Sequence, residues 1–209
     1  MATCAGAAYA TGMSVSAQVR RHYDDRAGTY DDNEMHTGLT KVIANWLDMG
    51  GDEVVLDVAT GTGLVLRSLA ERWPALRTIG IDISPAMLAL AQQRTPGASF
   101  VRADAVVLPI AEASVDLVTC VTALHLMPDP LGVTEEWRRV LRPSGRVVTA
   151  TFIPPDGHVE PNDGVFRNHA GYVSPAPFEA LGWPVVRSMT WAYETDTVLI
   201  CELQRMHRV

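Results

Sequence analysis

A short stretch in the first third of the chain limits the fold more than any other part of the sequence. Residues 54–58 form an apolar run rich in β-branched side chains, which is typical of a central parallel strand. Gly61 and Gly63 follow, and because they lack a Cβ atom the backbone can turn sharply and let a ligand approach closely. Apolar residues then recur at helical spacing from Leu66 onward. A strand, a glycine-rich turn and a helix N-terminus together predict an α/β fold with a cofactor site at the turn.

The residues around this turn distinguish between two classes of cofactor. A dinucleotide site has a small residue three positions after the second glycine, so that the helix packs closely against the strand. Leu66 occupies that position and is too large for this role. Asp57 lies inside the strand end, where its charge would repel a pyrophosphate but attract a ligand that carries an ammonium group. The turn therefore favours an amino-acid-bearing ligand.

Residues 57–63, with the sequence DVATGTG, resemble the first motif of the class I S-adenosylmethionine-dependent methyltransferases, D-x-G-x-G-x-G. The sequence departs from the motif once, at its first glycine, where alanine stands. The resemblance implies a cofactor site for S-adenosylmethionine, with S-adenosylhomocysteine as the product. In this stretch it assigns cofactor binding to Asp57, Ala59, Thr60, Gly61 and Gly63.

A second predicted strand, residues 78–82, also ends in an acidic residue. Asp82 follows Gly63 at roughly the spacing at which an acid binds ribose hydroxyl groups in nucleotide-binding α/β units. A carboxylate can accept hydrogen bonds from both vicinal hydroxyl groups. The apolar side chains of Ile83 and Met87 are expected to flank an adenine ring. The pattern predicts a nucleoside site at the end of this strand.

A third strand, predicted within residues 100–105, repeats the arrangement with Asp104. In the methyltransferase family the matching acid accepts from the adenine amino group and the next backbone N–H contacts the ring, so the resemblance assigns these roles to Asp104 and Ala105. Val121, at the end of a fourth strand over residues 115–121, is assigned to the same site. Because the carboxyl ends of parallel strands meet at one edge of the sheet, we expect all three acids at that edge.

Two further stretches are similar to the ubiquinone/menaquinone-type methyltransferases. Residues 22–31, HYDDRAGTYD, resemble the N-terminal lid of that family, which folds over the cofactor, and the resemblance places Tyr23 and Tyr30 at the cofactor. A solvated connecting segment is the alternative for these residues. Residues 124–130, LHLMPDP, resemble the family loop L-H-H-L-P-D-P, with Leu126 in place of the second histidine.

His125 is the candidate general base. It comes directly after the fourth strand, near the expected position of the transferred methyl group, and an imidazole suits proton transfer at neutral pH. A loop-orienting or core histidine is the alternative. No metal site is predicted, because His158, Asp163 and His169 are loosely spaced for a shared ion.

The remaining pattern predicts a single methyltransferase domain over residues 14–209, with residues 1–13 as a disordered leader and Met13 as an alternative start. The predicted fold is a Rossmann-like, doubly wound, seven-stranded, mostly parallel sheet whose last strand is antiparallel. Within it we expect an N-terminal lid and helix over 14–50, the helix itself over 37–49, and a short cap loop over 153–173. Other predicted elements are a helix over 130–141, a fifth strand over 147–152, and a closing hairpin of 185–193 and 197–204.

The composition excludes several kinds of partner. A formal net charge of −7 argues against a nucleic-acid ligand, because binding to phosphates needs a basic surface. No apolar run is long enough to span a membrane. The 3 cysteines are widely spaced and form no CxxC pair, which is typical of reduced thiols in a cytoplasmic protein. We therefore expect a cytoplasmic protein with a small-molecule partner, and leave a homodimer open.

The function that these observations favour is methyl transfer from S-adenosylmethionine to carbon or oxygen of a small-molecule acceptor. Two alternatives are an N-methyltransferase and a cofactor-binding, methyltransferase-like scaffold subunit. An NAD-dependent oxidoreductase is a weaker alternative, because Leu66, Asp57 and Asp104 all count against it.

Overall fold

The computed structural model describes residues 14–161 and 163–205, and the predicted leader and the alternative start lie outside them. Within the described residues one seven-stranded sheet forms the centre of the fold. Its strands are β1 (Val54–Val58), β2 (Arg77–Asp82), β3 (Ser99–Arg102), β4 (Val115–Val121), β5 (Leu141–Ile153), β6 (Val185–Tyr193) and β7 (Asp196–Gln204). The helices are α1 (Val15–Arg26), α2 (Glu34–Trp46), α3 (Leu64–Arg72), α4 (Pro85–Arg94), α5 (Pro130–Val140) and α6 (Ala176–Ala180), with short 3₁₀ turns at 27–32, 124–126 and 169–172.

The strand order β3-β2-β1-β4-β5-β7-β6 confirms the predicted fold class. Strands β1 to β5 pair in parallel, whereas β7 is antiparallel to both β5 and β6. The chain runs outward from β1 to β3 and then returns to β4 on the other side of β1. This reversal opens a crevice beyond the carboxyl ends of β1 and β4, the position at which open α/β sheets bind ligands.

Alternate residues of β1 face two apolar layers, which explains why the strand is hydrophobic except at Asp57. Val55 belongs to the layer that contains α2 and α3, and Leu56 belongs to the opposite layer, which contains Trp137 of α5. Both side chains are fully buried. Leu66 is also fully buried in the α2–α3 layer, so the position that a dinucleotide fold keeps small is filled by a large core residue. The two layers fix β1 at the centre of the sheet.

Helix α2 differs from the predicted range of 37–49 at both ends. It begins at Glu34, because the Asn33 side chain accepts hydrogen bonds from two backbone N–H groups of the first turn. It ends at Trp46, since Leu47 already has extended backbone angles. The glycines at 50 and 51 follow several residues later. The earlier start brings the helix close to the N-terminal segment.

Two strands also differ from their predicted ranges. Strand β3 ends at Arg102, and the chain then turns because Asp104 accepts a hydrogen bond from the Val106 N–H at 3.3 Å. Strand β5 begins at Leu141 rather than at residue 147, with an irregular register beside Val115. The predicted cap loop contains one 3₁₀ turn, at 169–172. No helix in the described part of the chain combines the length and the apolar character needed to cross a membrane.

Candidate functional site

A cavity with an empty volume of about 1040 Å³, its open mouth included, lies at the carboxyl edge of the parallel strands. Its walls come from the glycine-rich turn, the ends of β2, β3 and β4, and helix α1. Most of the residues that the sequence assigned to a cofactor line it, namely Tyr23, Tyr30, Ala59, Gly61, Asp82, Ile83, Met87, Asp104, Ala105 and Val121. The fold thus brings together side chains that are far apart along the chain.

Asp57 and Thr60 lie beside this cavity, in a small pocket that shares Ala59 and Gly61 with it. Asp57 is 1 % exposed; its Oδ1 accepts a hydrogen bond from the Thr119 hydroxyl at 2.7 Å, while its Oδ2 has no hydrogen-bond partner. Burial raises the pKa of this carboxyl to about 6. A buried carboxylate oxygen without a partner is a site that an ammonium group of a ligand would satisfy.

The turn itself has three left-handed residues, which explains its glycines. Gly61 has φ +55° and Gly63 has φ +80°, in the region that L side chains rarely adopt. A Cβ on Gly63 would lie 3.2 Å from Thr95 Oγ1, so this glycine lets the turn pack against α4 and does not line the cavity. Ala59, at the first glycine of the motif, has φ 59° and therefore adopts a strained backbone conformation.

Asp82 connects the end of β2 to this turn. Its Oδ2 accepts from the Gly61 N–H and its Oδ1 from the Ser84 N–H, each at 2.8 Å. An ionised carboxylate has about four acceptor positions, so two stay available for ribose hydroxyl groups. Burial raises the pKa of this carboxyl, because the cavity wall shields it from water. The geometry suits the predicted ribose role.

The N-terminal segment Val15–Asp32, here called the lid, covers one side of the cavity with Tyr23 and Tyr30. Their ring centroids lie 6.3 Å apart, edge to face. Burial raises the pKa of both phenols, so the hydroxyl groups remain protonated near neutral pH. The segment therefore packs on the site and is not a solvated connection.

Side chains that the sequence reasoning missed hold the lid in place. Asp31 Oδ2 lies 2.5 Å from Arg67 Nη2 of α3 and 2.5 Å from Arg94 Nη1 of α4. Its other oxygen accepts from the Thr62 hydroxyl of the glycine-rich turn. Asp24 accepts from the Ser84 hydroxyl at 2.6 Å. Asp24 and Asp31 each directly follow a tyrosine that lines the cavity. This repeated Tyr-Asp pair is the sequence feature that could have pointed to both acids as part of the site.

His125 does not line the cavity, although its neighbour Leu126 does. The ring is buried, stacks on His169 with 4.0 Å between centroids, and has no hydrogen-bond partner at Nδ1. Burial, followed by the nearby His169 and Arg167, lowers its pKa to about 3. Its carbonyl accepts from the Asn168 N–H at 2.8 Å. The structure thus favours the loop-orienting alternative, and the role of general base stays an untested prediction.

The other cavity residues are mostly apolar, and sequence reasoning did not identify them as part of the site. Leu126, Met127 and Val133 come from the loop after β4 and from α5, and Val19 comes from the lid. Thr122, also on the wall, has φ 52°, an unusual backbone conformation for a β-branched residue. An apolar cavity with carboxylates at its edge can hold a nucleoside with an attached amino acid.

Comparisons with known proteins agree with this geometry. Residues 56–149 match a family model described as a methyltransferase domain. A demethylmenaquinone methyltransferase from Deinococcus radiodurans is 40 % identical over 126 residues, which are 58 % of this chain and 51 % of the relative. A malonyl-acyl-carrier-protein O-methyltransferase from Marinomonas sp. is 33 % identical over 147 residues, 67 % of this chain and 53 % of the relative. The chain spans about half the length of the curated relatives it matches.

Solved structures share the fold over nearly the whole chain. A methyltransferase partner in a complex with the Haloferax volcanii Trm112 activator superposes with a TM-score of 0.78 and 23 % identity, covering 94 % of this chain and 99 % of that one. The cyclase SpnF superposes with a TM-score of 0.76 and 18 % identity, covering 91 % of this chain and 96 % of that one. Residues 56–149 therefore match a methyltransferase domain, and the described part of the chain has the fold of the class I S-adenosylmethionine-dependent methyltransferases.

Proposed function

We propose that the chain transfers a methyl group from S-adenosylmethionine to oxygen or carbon of a small-molecule acceptor. The observation that carries the proposal is the cavity at the carboxyl edge of the sheet. There two acids flank the same glycine-rich turn. Asp82 is suited to accept hydrogen bonds from ribose hydroxyl groups, and Asp57 is buried with one carboxylate oxygen that has no hydrogen-bond partner. The relatives methylate, as their names state, demethylmenaquinone and a malonyl group on acyl-carrier protein. The second name states transfer to oxygen, which is one of the two atoms that we propose.

Each part of the cavity has a role toward the cofactor in this proposal. Asp57 would balance the ammonium group and Asp82 would accept from the ribose hydroxyl groups. Asp104 and the backbone N–H of Ala105 would bind the adenine edge, and the side chains of Ile83 and Met87 would pack on the ring. The bound cofactor supplies an electrophilic methyl group that is already activated by the positive charge on sulfur.

The chain contributes mainly by alignment and by exclusion of water. Tyr23 and Tyr30 close the lid side of the cavity, and Leu126 and Met127 line the opposite wall. Holding donor and acceptor in line can contribute several kcal/mol through proximity alone. An acceptor that is ionised at neutral pH needs no base, which agrees with the low pKa and buried position of His125.

Ligand binding and turnover test the proposal separately. We expect S-adenosylhomocysteine to raise the melting temperature of the purified chain in a thermal-shift titration, because a ligand that binds the native state stabilises it. NAD at the same concentrations should leave the temperature unchanged. Transfer of a labelled methyl group to a panel of quinols, phenols and acyl carboxylates then tests the reaction. Stabilisation by NAD and not by S-adenosylhomocysteine would exclude the proposed cofactor.

The solved relatives favour one second candidate, a cofactor-binding protein that needs a partner or performs another reaction. One neighbour is a complex with an activator protein, and another is a cyclase. Binding of S-adenosylhomocysteine without turnover on any acceptor of the panel would favour this second candidate. Turnover by the isolated chain would exclude the need for a partner. An N-methyltransferase would be recognised by methyl transfer to an amine added to the panel.

A further inference from the structure

A group of metal-ligating side chains lies outside the cofactor cavity, in the segment between β5 and α6. His158, Glu160 and His169 each offer one ligand atom, and these atoms lie within 4.8 Å of one another. Glu160 Oε1 is 2.8 Å from His169 Nδ1, and Glu160 Oε2 is 3.5 Å from His158 Nε2. We propose that these three side chains bind a divalent transition-metal cation of the Zn²⁺ type, which fastens this segment to the sheet.

The donor set selects the class of cation. Two imidazole nitrogens and one carboxylate oxygen suit Zn²⁺ and its first-row neighbours, whereas Mg²⁺ and Ca²⁺ prefer oxygen ligands only. Zinc–ligand bonds of about 2.1 Å in a tetrahedron place the donor atoms roughly 3.4 Å apart. The Glu160 oxygens already lie 2.8 and 3.5 Å from the two imidazole nitrogens, so only the widest donor pair, at most 4.8 Å apart, would have to close, by up to about 1.4 Å, within the reach of side-chain rotation. The fourth position would be filled by water.

Glu160 and His169 are already oriented for this role. Glu160 Oε2 is shielded from water, and its contact is the His158 ring nitrogen at 3.5 Å, so this acceptor faces the second imidazole of the cluster. The His169 ring is held by stacking on His125 and by the edge of Phe152, at 4.0 and 6.0 Å between centroids. Side chains that are already oriented toward the ion lose less conformational entropy when it binds.

The charged neighbours leave room for a cation. Arg167, whose positive charge acts on Glu160, is bound by both oxygens of Asp163, at 2.7 and 2.9 Å. Because both of its oxygens bind Arg167, Asp163, which the sequence analysis considered as a metal ligand, is not available to the cluster. Its place is taken by Glu160, which the sequence reasoning did not consider. The cluster thus contains one formal negative charge for the incoming ion.

A bound ion would join both ends of the segment. His158 and Glu160 lie near its beginning and His169 lies near its end, next to Asn168, whose N–H donates to the His125 carbonyl at 2.8 Å. Leu126, which follows His125, lines the cofactor cavity. The ion would therefore stabilise the loop that forms one wall of the cavity, without contact to the reacting atoms.

Calorimetric titration of the full, chelator-treated chain with ZnCl₂ tests the binding. We expect one site per chain, and no comparable heat with MgCl₂. His158 is exposed, so His158→Ala should leave the fold intact and weaken Zn²⁺ binding at least about tenfold. The matched control is Val159→Ala, an exposed neighbour that offers no ligand atom and should bind as the wild type does. Equal affinity of His158→Ala and wild type, or no zinc binding at all, would overturn the proposal.

Hydrogen exchange, a readout independent of methyl transfer, tests the fastening. Zn²⁺ should slow amide exchange in residues 158–172 of the wild type and of Val159→Ala, and should have no such effect in His158→Ala. Zinc that binds without protecting this segment would show that the ion is held elsewhere, and would also overturn the proposal. Neither experiment depends on whether the chain is a methyltransferase, so its outcome is separate from that of the proposed function.

Discussion

The glycine-rich turn and the strand end at Asp82, together called the edge here, meet the lid at the same cavity. Different interactions hold the edge and the lid in place. At the edge, backbone N–H groups donate the connecting hydrogen bonds: the Thr60 N–H donates to the Ile81 carbonyl at 2.9 Å, and the Gly61 N–H donates to the Asp82 carboxylate. The lid is attached by side-chain carboxylates, chiefly Asp31 and Asp24. A backbone-built edge is rigid before a ligand arrives, whereas a lid held by a few polar contacts can open at low cost. We infer that the edge provides the affinity and the lid controls exchange.

The largest effect is expected at the edge, from Asp82→Ala. This change removes the proposed acceptor of the ribose hydroxyl groups and should weaken S-adenosylhomocysteine binding by about 1–3 kcal/mol, because charge-assisted hydrogen bonds are lost. Calorimetric titration measures the dissociation constant. Unchanged affinity would contradict the ribose assignment and the claim that the edge provides affinity.

The same change also removes the acceptor of the Gly61 N–H, so its structural effect must be measured separately. The matched control is Asp52→Ala, an exposed acid before β1 that lies outside the cavity lining. Thermal unfolding without ligand should show a loss of stability for Asp82→Ala and none for Asp52→Ala. A loss of ligand affinity in the control would indicate a general charge effect.

An effect of comparable size is expected from the pH dependence of Asp57. Its folded-state pKa is raised from 3.8 to about 6, so the native state binds this proton more tightly than the unfolded chain does. The stabilisation is complete below about pH 4 and is lost as pH rises through about 6, on the order of 3 kcal/mol in all. Asp57→Asn should remove this slope from the unfolding curve, and the exposed Asp52→Asn should keep it.

Cofactor binding should show the opposite pH dependence. If Asp57 balances the ammonium group, the ligand needs the ionised carboxylate, and affinity for S-adenosylhomocysteine should fall as pH drops below about 6. Affinity that stays constant between pH 5 and pH 7 would remove Asp57 from the binding site while leaving its structural role intact.

The sequence predicted the edge better than the lid because the edge is encoded locally. Asp82 and Asp104 each follow an apolar run directly, so short-range pattern and topology place them together at the sheet edge. The partners of Asp31 are more than thirty residues away, on two different helices. No local pattern relates such residues, so only the folded chain reveals the lid contacts.

His125 illustrates the same limit in another way. Its position after β4 was predicted correctly, but its burial depends on His169 and on the loop that packs over it. The irregular sequence between β5 and α6 has no periodicity from which that packing could be predicted. The metal-ligating group of this segment likewise involves Glu160, which only the folded structure places between two histidines.

At the lid, we expect Asp31→Ala to weaken the affinity for S-adenosylhomocysteine by about 1 kcal/mol. The change removes two partly exposed ion pairs, with Arg67 and Arg94, each worth a fraction of a kcal/mol. We expect roughly fivefold faster dissociation of S-adenosylhomocysteine in stopped-flow displacement, with nearly unchanged association. Asp32→Ala, an exposed acid in the same turn, is the matched control. If both variants behave as wild type, the lid is not held by Asp31.

The smallest expected effect returns to the edge, where Ala59 adopts a left-handed conformation that favours glycine. Relief of this strain by Ala59→Gly should contribute about 1–2 kcal/mol, and the greater freedom of glycine in the unfolded chain offsets roughly half of it. Chemical denaturation should therefore show a net stabilisation of about 0.5–1 kcal/mol. Ala113→Gly, at an exposed position with φ 49°, is the control for the same strain away from the cavity. Stabilisation at residue 113 without stabilisation at residue 59 would mean that the Ala59 methyl group packs well enough on the cavity wall to offset its backbone strain, and the edge would then depend on side chains as the lid does.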